Sequence, residues 1–241
     1  MFWSRRGVLL VSILPFYSGH RIRASSLSML KGGSDYYIDV HAHIIHEQFT
    51  GEEENIAQKC LSHNVQRVVV NGLEPVSNRL ILELCKTYPH IYKAALGIYP
   101  LDAACNVISP QNWSHSFPPP SPFDVDAEID FIKQMAESKQ IIAVGECGLD
   151  KYYLTDEVSM KEQERVLRKL MRVAKANDIP IILHSRKAEQ RVLDLLLEEG
   201  VVKADFHCFG GKVTVYLQNS DYNVIAAFRF MFLGQVRKED C

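Results

Sequence analysis

An alternation of short apolar runs and amphipathic segments constrains the fold of this chain more than any other feature. From Tyr36 onward, strand-like runs of apolar and β-branched residues alternate with segments in which apolar residues recur every three or four positions. Residues 67–71 are typical of a buried strand, and residues 158–177 carry the apolar stripe of a helix. Strands that alternate with helices form parallel βαβ units with right-handed crossovers. The sequence therefore predicts an α/β fold of the (β/α) TIM-like barrel type.

The number of repeating units predicts that this barrel is incomplete. Strand-like runs occupy residues 37–41, 67–71, 92–98, 141–145, 179–184 and 204–207, and helix-like segments occupy 52–64, 75–88, 124–138, 158–177 and 187–199. These make about six βα units, whereas a closed barrel has eight. We expect three regions: a leader or disordered extension at 1–34, a β/α barrel at 35–213, and a divergent tail at 214–241.

The proline-rich stretch at residues 100–122 interrupts this alternation. It contains few periodic apolar positions, so we interpret it as a long βα loop. In a barrel such a loop lies beside the mouth of the active site. Two interpretations stay open, a functional rim and a disordered insertion.

Charge divides the chain into a basic leader and an acidic body. Five of the 27 basic side chains lie in residues 1–34, which hold no acid, so 22 bases face 29 acids in the remainder. An acidic body argues against broad electrostatic binding of duplex DNA. The leader has the composition of an organelle transit peptide for a mitochondrion or plastid. A secretory or twin-arginine signal and a disordered extension are the alternatives, and without a signal we expect a cytoplasmic protein.

Two further features bear on the class of protein. The six cysteines show no CxxC motif and no regular spacing, which favours reduced thiols over a disulfide framework. No apolar run is long and clean enough to span a membrane, so we expect no membrane partner. The sequence does not determine the oligomeric state.

Five metal-ligand side chains stand at the ends of four predicted strands. These are His41 and His43, Glu146, His184, and His207. The strand ends of a parallel barrel meet at one face, where active sites are built. Imidazoles and a carboxylate are ligands that divalent transition metals accept. A carboxylate that follows a buried strand is costly unless it is paired or binds a metal, so we also assign Glu146 a catalytic role.

Other polar residues near these positions are expected to support the site. Asp39 points to the same side as the histidine pair, and Asp150 closes the patch that contains Glu146; both are predicted to orient ligands from behind. Arg186 follows His184 by two residues, and we expect it to bind a substrate phosphate, with Glu146 or Asp150 as alternative partners. The remaining histidines lack such placement and are predicted to lie on the surface: His20, His46, His63, His90 and His115.

The four patches together resemble the signatures of TatD-type metal-dependent deoxyribonucleases, in the amidohydrolase-like barrel superfamily. The resemblance covers residues 37–213 and follows the order HxH, GExGLD, HSR and HxFxG. It implies one or two divalent ions, Mg or Mn with Zn as an alternative, held by His41, His43, Glu146, His184 and His207. It also implies hydrolysis of phosphodiester bonds in DNA from the 3′ end, so the expected partner is DNA that is single-stranded or offers a free 3′ end.

Two departures from the family pattern qualify this expectation. The family usually has GxHP after the third strand, whereas this chain has Tyr99 in place of the histidine. Its later ETDSP-type segment, with a metal-binding aspartate, has no counterpart after Val213. We therefore expect activity reduced by truncation. Hydrolysis of a C–N or ester bond and a catalytically inactive product are the alternative functions.

Overall fold

The computed structural model describes residues 36–109, 113–209 and 223–228. The predicted leader lies outside these residues, as do Asp221 and Asp240, two acids after Val213 that lack the context of the ETDSP-type segment. For Cys208, Phe209 and the last described segment only the backbone is described.

Strands and helices alternate along the chain as predicted. The strands are β1 Tyr37–Ala42, β2 Val65–Asn71, β3 Tyr92–Leu96, β4 Ala143–Asp150, β5 Ile181–Arg186, β6 Lys203–Phe209 and β7 Asn223–Phe228. The helices are α1 Glu53–Ser62, α2 Pro75–Thr87, α3 Pro100–Ala103, α4 Val125–Glu137, α5 Glu157–Ala176 and α6 Glu189–Glu199.

All seven strands form one parallel sheet in the order β1 to β7. Among the described residues β1 and β7 do not pair, so the sheet is a fragment of a TIM-like barrel, which confirms the predicted fold class. The structure has one strand more than predicted. This strand is β7, which lies within the segment expected to be a divergent tail. It pairs with β6 in a register that places Asp205 opposite Ile225.

Capping residues determine where the helices begin and end. Helix α2 begins at Pro75 behind a capping box formed by Glu74 and Ser77. Helix α4 begins after Asp124, whose side chain accepts the N–H of Ala127. Helix α6 ends at Gly200, which has a left-handed φ of 64°. None of the described helices is long and apolar enough to cross a membrane.

Strand β4 differs from its prediction and matters most for the site. The apolar run at 141–145 was expected to end before Glu146, but the strand continues to Asp150. The continuation pairs with β5, where Gly148 lies opposite His184 and has a φ of +155°. A Cβ at Gly148 would overlap the carbonyl oxygen of His184, so glycine lets the two backbones approach. Glu146 therefore lies within the strand, and Asp150 stands at its end.

The hydrophobic core has two layers of unequal size. The larger layer lies between the sheet and the helices and includes Tyr92, Leu167 and Phe206, all fully buried. The smaller layer lies on the other side of the sheet and contains Val69, Ala95, Ala143 and Ile182. Residues in parallel register point to the same face of the sheet, so Asp205 lies beside Ile182 and His207 beside His184. His184 and His207 thus share the inner face of the sheet.

The cysteines among the described residues agree with the prediction of reduced thiols. Cys60, Cys85, Cys105 and Cys147 are free, and Cys105 and Cys147 are buried.

Candidate metal centre

Two histidines and one carboxylate converge at the end of β1. The Nε2 atoms of His41 and His43 lie 3.0 Å apart, and they lie 3.3 and 3.1 Å from Oε2 of Glu146. His41 lies in β1 and His43 directly follows its last residue, and the extension of β4 brings Glu146 to meet both imidazoles. These three atoms form a nearly equilateral triangle.

A backbone hydrogen bond determines the tautomer of His43. Nδ1 of His43 donates to the carbonyl oxygen of Asn71 at 3.1 Å. In a neutral ring Nε2 is then a lone-pair acceptor, and it faces a carboxylate oxygen and a second imidazole nitrogen. Acceptors that face one another require a proton or a cation between them. Ligands bonded to one divalent ion at about 2.0–2.2 Å lie roughly 3 Å apart, so the spacing of the triangle fits such an ion.

His207 extends the group on the other side of His41. The two imidazole rings stack with centroids 3.6 Å apart and planes 6° from parallel. One ligand atom from each of His41, Glu146 and His207 lies within 4.8 Å of the other two. Nδ1 of His41 and Nδ1 of His207 are buried without a hydrogen-bond partner among the described residues. Unsatisfied buried nitrogens of this kind also suit a bound ion.

His184 bridges two carboxylates. Its Nδ1 lies 3.1 Å from Oε1 of Glu146, and its Nε2 lies 3.1 Å from Oδ2 of Asp150. Asp150 is itself fixed by Gln163, a fully buried side chain on α5 whose oxygen accepts the N–H of Asp150 at 2.8 Å. Glu146 therefore contacts three of the four histidines, with one oxygen facing β1 and the other facing β5.

Electrostatics separates these groups into charged and neutral members. Burial opposes ionisation of Glu146, but hydrogen bonds with His184 and His41 hold its pKa well below the ordinary value. Burial also opposes protonation of His184, but its hydrogen bonds to Asp150 and Glu146 raise its pKa to about 9. Burial lowers the pKa of His207 to about 3, with a contribution from His41. At neutral pH the metal-free centre therefore pairs an ionised Glu146 with a protonated His184, whereas His207 is neutral, and His184 must lose its proton before it can bind an ion.

The other predicted residues lie next to this group. Oδ1 of Asp39, which is 6 % exposed, accepts the backbone N–H of His41 at 3.0 Å. The guanidinium of Arg186 lies over the rings of Tyr152 and Tyr153, 3.8 and 4.8 Å from their centroids. Tyr99 contacts His184 with ring centroids 4.9 Å apart.

Sequence reasoning missed two contributors and misplaced one. Gln163 was not recognised, because nothing in a helix sequence shows which polar residue reaches a distant strand. The Tyr152-Tyr153 pair was also missed, although its position directly after the Gly-Leu-Asp end of β4 was a usable signal. His115 was predicted to lie on the surface but is half-buried, because it packs against Trp113 and Tyr153.

Imidazoles and carboxylates gathered on one parallel β/α sheet are the kind of ligand set that metal-dependent hydrolases with a barrel fold use. The chain belongs to the TatD-related DNase family, whose model matches residues 38–237.

Two curated relatives and one solved structure show how far this similarity extends. The chain is 30% identical over 193 residues to the uncharacterized metal-dependent hydrolase YabD of Bacillus subtilis, covering 79% of this chain and 67% of YabD. It is 27% identical over 175 residues to the 3′-5′ ssDNA/RNA exonuclease TatD of Salmonella typhimurium, covering 72% of this chain and 59% of that enzyme. The crystal structure of YjjV, a TatD homologue from Escherichia coli K12, superposes with a TM-score of 0.63 at 24% identity, over 78% of this chain and 66% of YjjV. The chain thus spans about three fifths to two thirds of these relatives.

Proposed function

We propose that this chain hydrolyses phosphodiester bonds in single-stranded DNA, from the 3′ end, with one or two divalent ions. The observation that carries the proposal is the triangle of His41, His43 and Glu146, in which three ligand atoms lie 3.0–3.3 Å apart, a spacing that fits ligands bonded to one divalent ion. The similarity of the chain to a relative named as a 3′-5′ ssDNA/RNA exonuclease supports the choice of substrate.

The ligands we propose are His41, His43, Glu146, His184 and His207, with Glu146 placed to serve two ions through its two oxygens. We propose Mg or Mn as the ion, with Zn as the alternative that a set of ligands rich in imidazole favours. Divalent ions at this centre supply Lewis acidity toward the phosphodiester and make a nearby water more acidic.

The surrounding residues have separate tasks in this proposal. Asp150 holds the ring of His184 in position through Nε2, and Asp39 fixes the backbone at His41. Arg186 binds a non-bridging oxygen of the phosphate, since its guanidinium is oriented by the tyrosine rings beneath it. Burial raises the pKa of Tyr99, so its phenol stays protonated and can donate a hydrogen bond to the leaving side of the substrate.

The composition of the leader supports a further proposal on location. Residues 1–34 are basic and free of acids, which suits delivery to a mitochondrion or plastid. These residues lie outside the described part of the chain.

Release of nucleotides from 5′-labelled single-stranded DNA, measured with Mg or Mn and then with EDTA, tests the proposed activity. We expect metal-dependent shortening from the 3′ end and its loss in Glu146→Ala by about 10²-fold or more. Glu198→Ala, which removes an exposed carboxylate on α6, is the matched control and is expected to keep the wild-type rate.

Two other outcomes would overturn the proposal. Hydrolysis of amide or lactone substrates without release of nucleotides would identify the alternative chemistry of this fold. Stoichiometric metal binding with no hydrolysis of any of these substrates would identify an inactive chain.

A further inference from the structure

Five aromatic side chains form one cluster beside the candidate centre. Trp113, His115 and Phe117 come from the long loop after α3, and Tyr152 and Tyr153 follow β4; we call these five the aromatic rim. Tyr153 is central, with its ring centroid 5.1 Å from His115, 5.2 Å from Phe117 and 4.9 Å from Tyr152. Nε2 of His115 donates to the carbonyl oxygen of Tyr153 at 3.0 Å, which ties the two segments together.

The rim is attached to the centre through one carboxylate. Oδ1 of Asp150 accepts the backbone N–H groups of Tyr152 and Tyr153 at 2.8 and 2.9 Å, while Oδ2 contacts His184. The same side chain therefore fixes a candidate ligand and the two tyrosines. The rim therefore adjoins the centre through Asp150.

Two rings of the rim are open to solvent even though they are large and apolar. Tyr152 is 46% exposed and Phe117 is 36% exposed. Cations accompany the first of them, since Arg186 lies 3.8 Å and Nζ of Lys187 lies 4.8 Å from the centroid of Tyr152. Exposed aromatic surface beside cationic groups is the arrangement that proteins use to bind single strands, with bases stacked on rings and phosphates near the cations.

We propose that the aromatic rim binds a nucleobase that flanks the scissile phosphate, by stacking on Tyr152, while Arg186 contacts the phosphate. This inference rests on the proposed function and adds a base-binding subsite to it. A duplex covers both faces of every internal base, so a subsite of this kind selects an unstacked nucleotide and hence a single strand. Stacking tolerates all four bases, so the rim confers strand selectivity with little sequence preference.

Abasic substrates separate this proposal from the hydrolysis itself. Single-stranded DNA is prepared with an intact 3′ end and with a tetrahydrofuran abasic residue at the last or the second-last nucleotide. Wild type is expected to prefer the intact strand over at least one of the abasic strands by about tenfold in kcat/KM, within the range for one base–aromatic stack. Tyr152→Leu is expected to bring this ratio close to one, and Tyr152→Phe to preserve it.

Tyr36→Leu is the matched control, because Tyr36 is equally exposed at 47% but precedes β1, at the opposite end of the sheet from the centre. It should leave the ratio unchanged. A second readout needs no catalysis: fluorescence of 2-aminopurine at the 3′-terminal positions of a single strand, titrated in EDTA. Wild type and Tyr152→Phe should quench it, and Tyr152→Leu should require about tenfold more protein.

The outcomes distinguish the two proposals. Equal hydrolysis of intact and abasic strands, or equal quenching by Tyr152→Leu and wild type, would overturn the base-binding subsite and leave the hydrolase intact. Absence of hydrolysis with Tyr152-dependent quenching would overturn the proposed activity and leave the subsite.

Discussion

Carboxylates are used in opposite ways at the candidate centre and on the outer face of helices α5 and α6. On the helices Glu199 and Glu164 meet arginines: Arg172 and Arg168 contact Glu199 at 2.8 Å, and Arg191 contacts Glu164 at 2.7 Å. At the centre Glu146 meets only imidazoles, and two of these also face each other. The helical acids are balanced by arginines that stay charged, whereas Glu146 is balanced only by imidazoles, which can gain or lose a proton.

Burial strengthens this contrast. The helical pairs are partly in water, where such interactions contribute little to stability. Glu146 is 3% exposed, so its charge interacts with the imidazoles in a medium that screens poorly. The same side-chain type should therefore have very different energetic importance in the two regions.

The largest expected effect is that of Glu146→Gln on the metal-free protein. The change removes a buried charge that contacts His41, His43 and His184, so we expect the free energy of unfolding in EDTA to fall by about 3–5 kcal/mol. Denaturant titration monitored by circular dichroism measures it. A loss below about 1 kcal/mol would remove the distinction between the centre and the helical pairs.

The next effect is expected from Mn, which we propose binds at the centre. Mn at 100 times its dissociation constant should raise the free energy of unfolding of wild type by about 2.7 kcal/mol, because the ion binds the folded state alone. Thermal unfolding with and without Mn reports the change. Equal stabilisation of the double variant His41→Ala/His43→Ala would show that the ion binds elsewhere.

The contrast also explains what the sequence could predict. Helix and strand alternation and the positions of His41, His184 and His207 at strand ends follow from local pattern, and these residues come together as expected. The predicted end of β4 was wrong, because a glycine such as Gly148 usually indicates the end of a strand. Here glycine is required because the carbonyl oxygen of His184 lies against it. The position of Glu146 inside the strand depends on that long-range contact.

The aromatic rim shows the same limit. The sequence predicts either a functional rim or a disordered insertion for the loop at 100–122. In the structure His115 and Phe117 of this loop pack on Tyr153, which lies about forty residues away in sequence. Aromatic residues in a loop carry no periodic signal, and the partner that buries them lies after a different strand. Contacts between segments that are distant in sequence were beyond local reasoning.

Asp205 offers an intermediate case, since it lies on the inner face of the sheet like Glu146 but lacks imidazoles. It is 7% exposed, neither carboxylate oxygen has a hydrogen-bond partner among the described residues, and burial raises its pKa to about 7. We expect Asp205→Val to increase the free energy of unfolding by about 1–3 kcal/mol. Asp205→Asn, which keeps the polar shape, should give a smaller gain. Destabilisation by both variants in chemical denaturation would mean that the carboxylate is favourably held.

The smallest effect is expected for Glu199→Gln, the same substitution as at Glu146 but among the helical pairs. Hydrogen bonds with Arg172 lower the pKa of Glu199 to about 2, against an ordinary value of 4.5. Because the pKa is lower in the folded state, the stabilisation is complete above pH 4.5 and declines as the pH falls toward 2. Solvent screening keeps the loss at pH 7 below about 1 kcal/mol. Denaturant titrations of wild type and Glu199→Gln at pH 7 and pH 4 should show the difference narrowing at the lower pH. A loss as large as that of Glu146→Gln would show that the helical pairs stabilise the barrel fragment as strongly as the centre does.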